Sequence, residues 1–372
     1  MATHVTALDL TPAAPGAHAP VQDALEGAVN NAGAPGIVTE VIHDRSRWFG
    51  SAGLSDTATG RARTSYEQFR IGSATKAFTA TVVLQLAAER RIGLDDTVEQ
   101  WLPGLVHGNG YDGRAVTIRQ LLNQTSGIFA YNNAPEFFVN GIGATWYEHR
   151  HDRYAPEQLV KIALAHPPYA APGERFVYSN TNFVLAAMIV EKVTGRTFAQ
   201  EIDRRIVRPL DLPGTYLPAT GDAGIRGPHP VHYSTLFSAD PNPQIHDATE
   251  MDQSYAWSAG GLVSTTGDLT RFFGALFGGR LLPAEQMSEM LTTVDTDGSG
   301  WIPATRYGLG VFAQTLSCGV TVWGNGGATY GSWSYTMGTR DGRHLLAIHV
   351  NGDWSGLSVF DDVLSAEFCT EQ

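Results

Sequence analysis

The sequence predicts an α/β fold: an antiparallel five-stranded sheet flanked by helices, with a mostly helical domain inserted into it. Two observations carry that expectation. Residues 35–43 and 46–53 alternate apolar and polar side chains around Asp44-Arg45, the pattern of two antiparallel strands. Three more strands follow near the other end, over 320–323, 332–338 and 344–351, with Asp341-Gly342 as a turn. Both ends of the chain therefore build one sheet. Between them, helical patterns run over 156–165, 182–194 and 198–205, and Asp211-Leu212-Pro213-Gly214 stops the last of them. The resulting division is a sheet domain over 20–85 and 255–372, a helical insertion over 86–254, and an N-terminal extension over 1–19. The Gly- and Pro-rich stretch 213–255 is long for a loop, and such loops often form walls or lids of a site.

The chemistry concentrates in a few residues. Ser73 and Lys76 stand three apart at the start of a run that is apolar on nearly every side, as in a helix buried between two layers. Three apart on a helix is one face, so the amine can reach the hydroxyl. Burial suppresses the amine's charge, and a serine needs such a base. The spacing alone is also that of a helix N-terminus with a solvated lysine. Tyr178 and Asn180 directly precede another apolar helix. A tyrosine held near a cationic lysine loses its proton more easily, and an asparagine beside it can orient the lysine and a substrate amide. A helix cap with Tyr178 packed is the plainer reading of the same residues.

Together, Ser73-x-x-Lys76 and Tyr178-x-Asn180 resemble the motifs of the penicillin-recognising serine hydrolases, and among them the class C β-lactamases and soluble DD-carboxypeptidases. The resemblance extends along most of the chain, through Gly93-Leu94-Asp95-Asp96, Thr125-Ser126-Gly127, Ala171-Pro172-Gly173, Ser258-Ala259-Gly260-Gly261 and Tyr307-Gly308-Leu309-Gly310. It implies acyl transfer through an ester on Ser73. Lys76 and Tyr178 would share the removal of the serine proton, and the N–H groups of Ser73 and Ala328 would form the oxyanion hole. Asn132 and Trp257 would line the cleft. It also implies a pairing of Cys318 with Cys369, which occupy places resembling a bridged pair in secreted relatives.

The chain departs from that pattern in its third motif. Where relatives carry Lys-Thr-Gly or His-Thr-Gly on a strand facing the serine, this chain reads Trp323-Gly324-Asn325-Gly326-Gly327-Ala328. After Tyr307-Gly308-Leu309-Gly310, where related peptidases carry basic residues, it reads Val311-Phe312-Ala313-Gln314. A carboxylate entering a cleft without a cation would lose water and gain little. Asn325, Gly326, Gly327 and Phe312 therefore point to a neutral ester, amide or thioester: Gly326 and Gly327 leave room, and Phe312 offers an apolar wall. Asn325-Gly326 also reads as a hairpin turn. The expected function is a serine acyltransferase or esterase, such as a transacylase of specialised-metabolite biosynthesis. A D-Ala-D-Ala carboxypeptidase or penicillin-binding protein is the alternative, and a non-catalytic sensor or scaffold the second alternative.

Length and composition, 372 residues with 43% hydrophobic and 17% charged, suit one enzyme with a large core. A net charge of −12 offers no footprint for nucleic acid or an anionic membrane surface. The expected partners are a small acyl donor and an amine or water acceptor. No cofactor is implied. His149-Arg150-His151 and His229-Pro230-Val231-His232 lack further ligands at zinc-like spacing, so no metal is expected either. The first residues carry no basic and apolar leader, which favours a cytoplasmic protein; a chain trimmed of a leader would be a secreted one.

Overall fold

The computed structural model describes residues 10–14, 16–137 and 145–369, so the extension read over 1–19 lies partly outside them. In chain order the framework consists of α1 (Ala19–Asn30), β1 (Gly36–His43), β2 (Ser46–Asp56), α2 (Thr75–Ala88), α3 (Asn180–Thr194), α4 (Thr266–Phe277), β3 (Phe312–Thr315), β4 (Thr321–Thr329), β5 (Ser332–Gly338), β6 (His344–Val350) and α5 (Ser358–Phe368). The five expected strands are β2, β1, β6, β5 and β4, adjacent in that order. The sheet is larger than five strands, however. β3, Thr305–Tyr307 and Val294–Asp295 extend it beyond β4, Arg61–Ala62 pairs with β2, and Thr11–Pro12 adds a parallel partner to β2, giving ten. These additions are two to four residues long, too short for alternation to show in sequence.

Period-two alternation puts a different core on each side of the sheet. From β6, Leu346, Ile348 and Val350 join Ile37 and Val41 of β1 under α1 and α5. Leu345 and Ala347 face the other way, with Ile42, onto α2 and α4. α2 is buried from Thr75 to Leu84 without interruption and α3 from Thr181 to Ala187, so each is enclosed on all sides over these turns rather than amphipathic. Cys318 and Cys369 are bonded to each other, with Cα atoms 5.9 Å apart, and tie the end of α5 to the hairpin between β3 and β4.

β4 runs unbroken through Asn325-Gly326, and the reversal to β5 comes at Tyr330-Gly331, where Gly331 has φ 65°. The Asn-Gly turn signal is overridden because Asn325 and Gly326 are paired opposite Thr336 and Tyr335.

Candidate active site

Ser73 lies in a 3-10 turn, Gly72–Ala74, that leads into α2. The turn is fastened to β5: the Ser332 hydroxyl donates to the Arg70 carbonyl at 2.7 Å and the Ser334 hydroxyl to the Ile71 carbonyl at 2.9 Å. β4 closes on it from beside. A Cβ on Gly327 would stand 2.1 Å from the Ile71 carbonyl oxygen and 2.3 Å from the Ser73 nitrogen. One on Gly72, where φ is +51°, would stand 2.7 Å from the Ala328 nitrogen. Glycine at both positions lets the two backbones touch.

Lys76, one helical turn on, is fully buried. Its Nζ lies 3.0 Å from Ser73 Oγ, 2.7 Å from Asn180 Oδ1 and 2.7 Å from the Ala259 carbonyl oxygen. None of these partners is a carboxylate, and burial holds the ammonium well below the usual lysine value. The Tyr178 hydroxyl donates to Ser73 Oγ at 2.8 Å, and its ring stacks on Trp301 at 4.4 Å. Burial pushes this phenol up, against a smaller lowering from the Ser73 contact. Burial thus acts against the phenolate of Tyr178 as well as against the ammonium of Lys76, whereas the sequence reading has a cationic lysine easing ionisation of the tyrosine. Asn180 opens α3, and its Nδ2 donates to Asn132 Oδ1 at 3.0 Å.

A cavity of about 730 Å³ opens over Ser73. Asn132, Asn180, Tyr131, Tyr255, Ala328 and Tyr330 line it, together with Thr235, Leu236, Phe237, Gln244 and His246 of the long loop. No Asp, Glu, Lys or Arg lines it among the described residues. Three expected cleft residues are elsewhere. Phe312 is buried on the α1–α5 side of the sheet, edge-on to Tyr335 at 5.8 Å, because strand alternation turns it from the cleft. Asn325 is 3% exposed and donates to the Gly310 carbonyl at 2.7 Å, latching β4 to that turn. Trp257 packs on Phe198 at 5.6 Å in the helical core, and its neighbour Ala256 faces the cleft instead. Neither Gly326 nor Gly327 leaves room for substrate: a Cβ on Gly326 would stand 2.2 Å from the Tyr335 ring, and Gly327 makes room for the backbone of the nucleophile turn.

Gln124 was not among the expected site residues. Its Oε1 accepts from the Ser179 N–H at 3.0 Å and from Asn182 Nδ2 at 2.6 Å, which braces the corner carrying Tyr178 and Asn180. Its buried position and φ of 65° have no signature in the sequence.

Residues 21–364 match the Beta-lactamase family model, and the chain belongs to that family. It is a serine hydrolase of the β-lactamase-like class. A solved D-stereospecific amidohydrolase from Streptomyces sp. is 47% identical with a TM-score of 0.88, covering 95% of this chain and 99% of that one. A D-amino acid amidase from Ochrobactrum anthropi SV3, solved with L-phenylalanine amide, shares the fold at 24% identity and a TM-score of 0.77, covering 94% of this chain and 97% of that one. Penicillin-binding protein 4* of Bacillus subtilis (strain 168) is 30% identical over 236 residues, 61% of this chain and 49% of its own length. The chain spans about half or less of the curated relatives it matches first. Among the described residues no helix is long and apolar enough to cross a membrane.

Proposed function

We propose that this serine hydrolase takes an acyl group from a neutral amide, ester or thioester onto Ser73 and passes it to water or to an amine. The observation that carries the reading is Ser73 Oγ held between Lys76 and Tyr178 at 3.0 and 2.8 Å, at the foot of a cleft that no charged side chain among the described residues lines.

Hydrogen-bond accounting assigns the protons. A neutral Tyr178 gives its hydrogen to Ser73 Oγ, so the serine's own hydrogen is free to point at Lys76. A neutral Lys76 has two hydrogens, which serve Asn180 Oδ1 and the Ala259 carbonyl, and its lone pair faces the serine. Lys76 then takes the proton as Ser73 attacks the carbonyl carbon. The N–H groups of Ser73 and Ala328 receive the oxyanion, and each such donor is worth about 2.7–4 kcal/mol. The proton reaches the departing amine, alcohol or thiol through the Tyr178 hydroxyl. Water or a second amine attacks the ester by the reverse path.

The similarity to a D-stereospecific amidohydrolase supports an amide substrate with a D-configured acyl part. The lack of a charged side chain in the lining among the described residues disfavours a free substrate carboxylate, and with it D-Ala-D-Ala trimming. The test is intact-mass spectrometry and product analysis with D- and L-amino acid amides, neutral esters and a D-Ala-D-Ala peptide, on the native protein and Ser73→Ala. A native adduct with the D-amide or ester, absent in Ser73→Ala, is expected, with amide formed when an amine is supplied. Fast release of D-Ala would instead support the carboxypeptidase. A native protein unmodified by every ester and by a fluorophosphonate would be the inert sensor.

A further inference from the structure

The long loop gives the cleft an apolar wall, and its backbone is unusual there. Leu236 and Phe237 both lie in the left-handed region, with φ 54° and 53°. Non-glycine residues hold that conformation only where the surroundings fix it. The surroundings here centre on Asp353, which is 5% exposed and lies just beyond β6. Its Oδ1 accepts from the Thr235 N–H at 3.0 Å and the Thr235 hydroxyl at 3.2 Å. Its Oδ2 accepts from the Ser234 hydroxyl and from the Gly331 N–H, the latter at 3.0 Å. Ser234 Oγ in turn accepts from the Leu236 N–H at 2.9 Å. Gly331 belongs to the turn between β4 and β5, three residues past Ala328, and a Cβ on it would stand 2.4 Å from the His232 carbonyl carbon. One carboxylate thus holds the base of the wall and the end of the oxyanion strand together. Phe237 is half exposed, with its ring 5.4 Å from Tyr330, and both line the cleft.

We propose that Asp353 is a positioning residue for specificity: by gripping Ser234, Thr235 and Gly331 it sets the gap between the Phe237 wall and β4, and so the size of apolar group the cleft accepts. The proposal rests on the acyl-transfer reading of this cleft. Its ligand class is an uncharged substrate with a bulky apolar group beside the scissile carbonyl. All four contacts of Asp353 come from donors, so Asp353→Asn sets an amide hydrogen against at least one backbone or hydroxyl hydrogen. Ser234→Ala is milder and removes one hydroxyl that serves two contacts of the clamp.

The experiment compares kcat and KM for 4-nitrophenyl acetate and 4-nitrophenyl 3-phenylpropanoate in the native chain, Ser234→Ala, Asp353→Asn and Phe237→Ala. Alongside, hydrogen exchange is followed in peptides covering 234–239 and 329–333. Expected is a fall of at least fivefold in the ratio of kcat/KM, phenylpropanoate over acetate, in all three variants. The fall is carried by KM of the larger ester, and in Ser234→Ala and Asp353→Asn kcat for acetate stays within twofold of native. Exchange in both peptides should rise at least tenfold in Ser234→Ala and Asp353→Asn. Should Asp353→Asn not fold, Ser234→Ala decides by the same two readouts. A ratio unchanged in Ser234→Ala, an equal loss on both esters, or exchange that stays at the native rate overturns the proposal. If the native chain turns over neither ester, the acyl-transfer reading falls, and the exchange rates still judge the clamp.

Discussion

Gly327 offers a quantitative test of how closely β4 must approach the nucleophile. In Gly327→Ala the new methyl would begin 2.1 Å from the Ile71 carbonyl oxygen and 2.3 Å from the Ser73 nitrogen, against 3.0 Å as the closest approach that real Cβ atoms show. The clash is with backbone, which cannot swing aside as a side chain would. The Arg70–Ile71 carbonyls are themselves pinned by Ser332 and Ser334, so strand and turn must separate by about 0.9 Å. A displacement of about 1 Å at reacting groups is enough for about a 10²-fold loss. Removing one oxyanion donor outright costs about 10²–10³ in kcat. Gly327→Ala should therefore lower kcat on a neutral ester by about 10²–10³, with its circular dichroism and Ser73 environment otherwise folded. Gly224→Ala is the control, since a Cβ there meets nothing within 4 Å and its φ is not left-handed. A folded Gly327→Ala that kept more than a tenth of native kcat would refute both the close-approach argument and the assignment of Ala328 to the oxyanion hole.

The other variants probe the proton path and the framework. Tyr178→Phe keeps the ring on Trp301 and removes only the donor to Ser73 Oγ, so kcat should fall by about 10²–10⁴ at unchanged melting temperature; near-native turnover would remove Tyr178 from the proton path. Lys76 acts as a base only when neutral, so kcat/KM should rise with pH through its folded-state pKa and level off well below the ordinary lysine value of about 10.4. Asn180→Asp places a carboxylate where Oδ1 now meets the amine at 2.7 Å, which favours the ammonium and should move that acid limb upward by at least about one pH unit; an unmoved limb would mean that another group sets it. Cys318→Ser with Cys369→Ser opens a link between residues 51 apart and should lower the unfolding free energy by about 2–4 kcal/mol in urea titrations, with kcat at 25 °C unchanged.

Residues fixed by local periodicity were the ones the sequence made legible. Ser73 and Lys76 share a face because they are three apart on one helix, and Tyr178 and Asn180 come together because a helix begins between them. The pairs β1–β2 and β5–β6 show as alternation over seven residues or more. What stayed hidden depends on register or on irregular backbone. Phe312 stands beside the right motif, yet its pairing with Gly324 turns its ring to the far core. Asn325 looks like a ligand-binding amide until its Nδ2 is found on the Gly310 carbonyl. The wall residues Leu236, Phe237 and His246 sit in a stretch with no hydrophobic period, and Asp353, which holds the neighbouring Ser234 and Thr235, follows more than 100 residues later. Nothing in spacing or composition links the two.

The glycines of β4 also bear on why no charged side chain lines this cleft among the described residues. A side chain at 326 would collide with the Tyr335 ring, which is held by its hydroxyl on Gln314 at 2.8 Å and by stacking on Phe360 at 5.2 Å. A side chain at 327 would collide with the nucleophile turn itself. At 327 the strand therefore meets the nucleophile turn through backbone alone, and at 326 it is closed against the Tyr335 ring, so neither position has room for a cationic side chain. Among the described residues, neither the long loop nor the stretch around Asn132 brings a basic or acidic side chain to the lining. The same lack of nearby charge acts on Lys76, whose depressed pKa comes from burial alone. A permanent cation on β4 would attract substrate carboxylates, but it would also repel the proton that Lys76 must accept. With no such cation on the described lining, burial alone lowers the Lys76 pKa, and the preference for neutral substrates proposed above would follow from the same lack of charge.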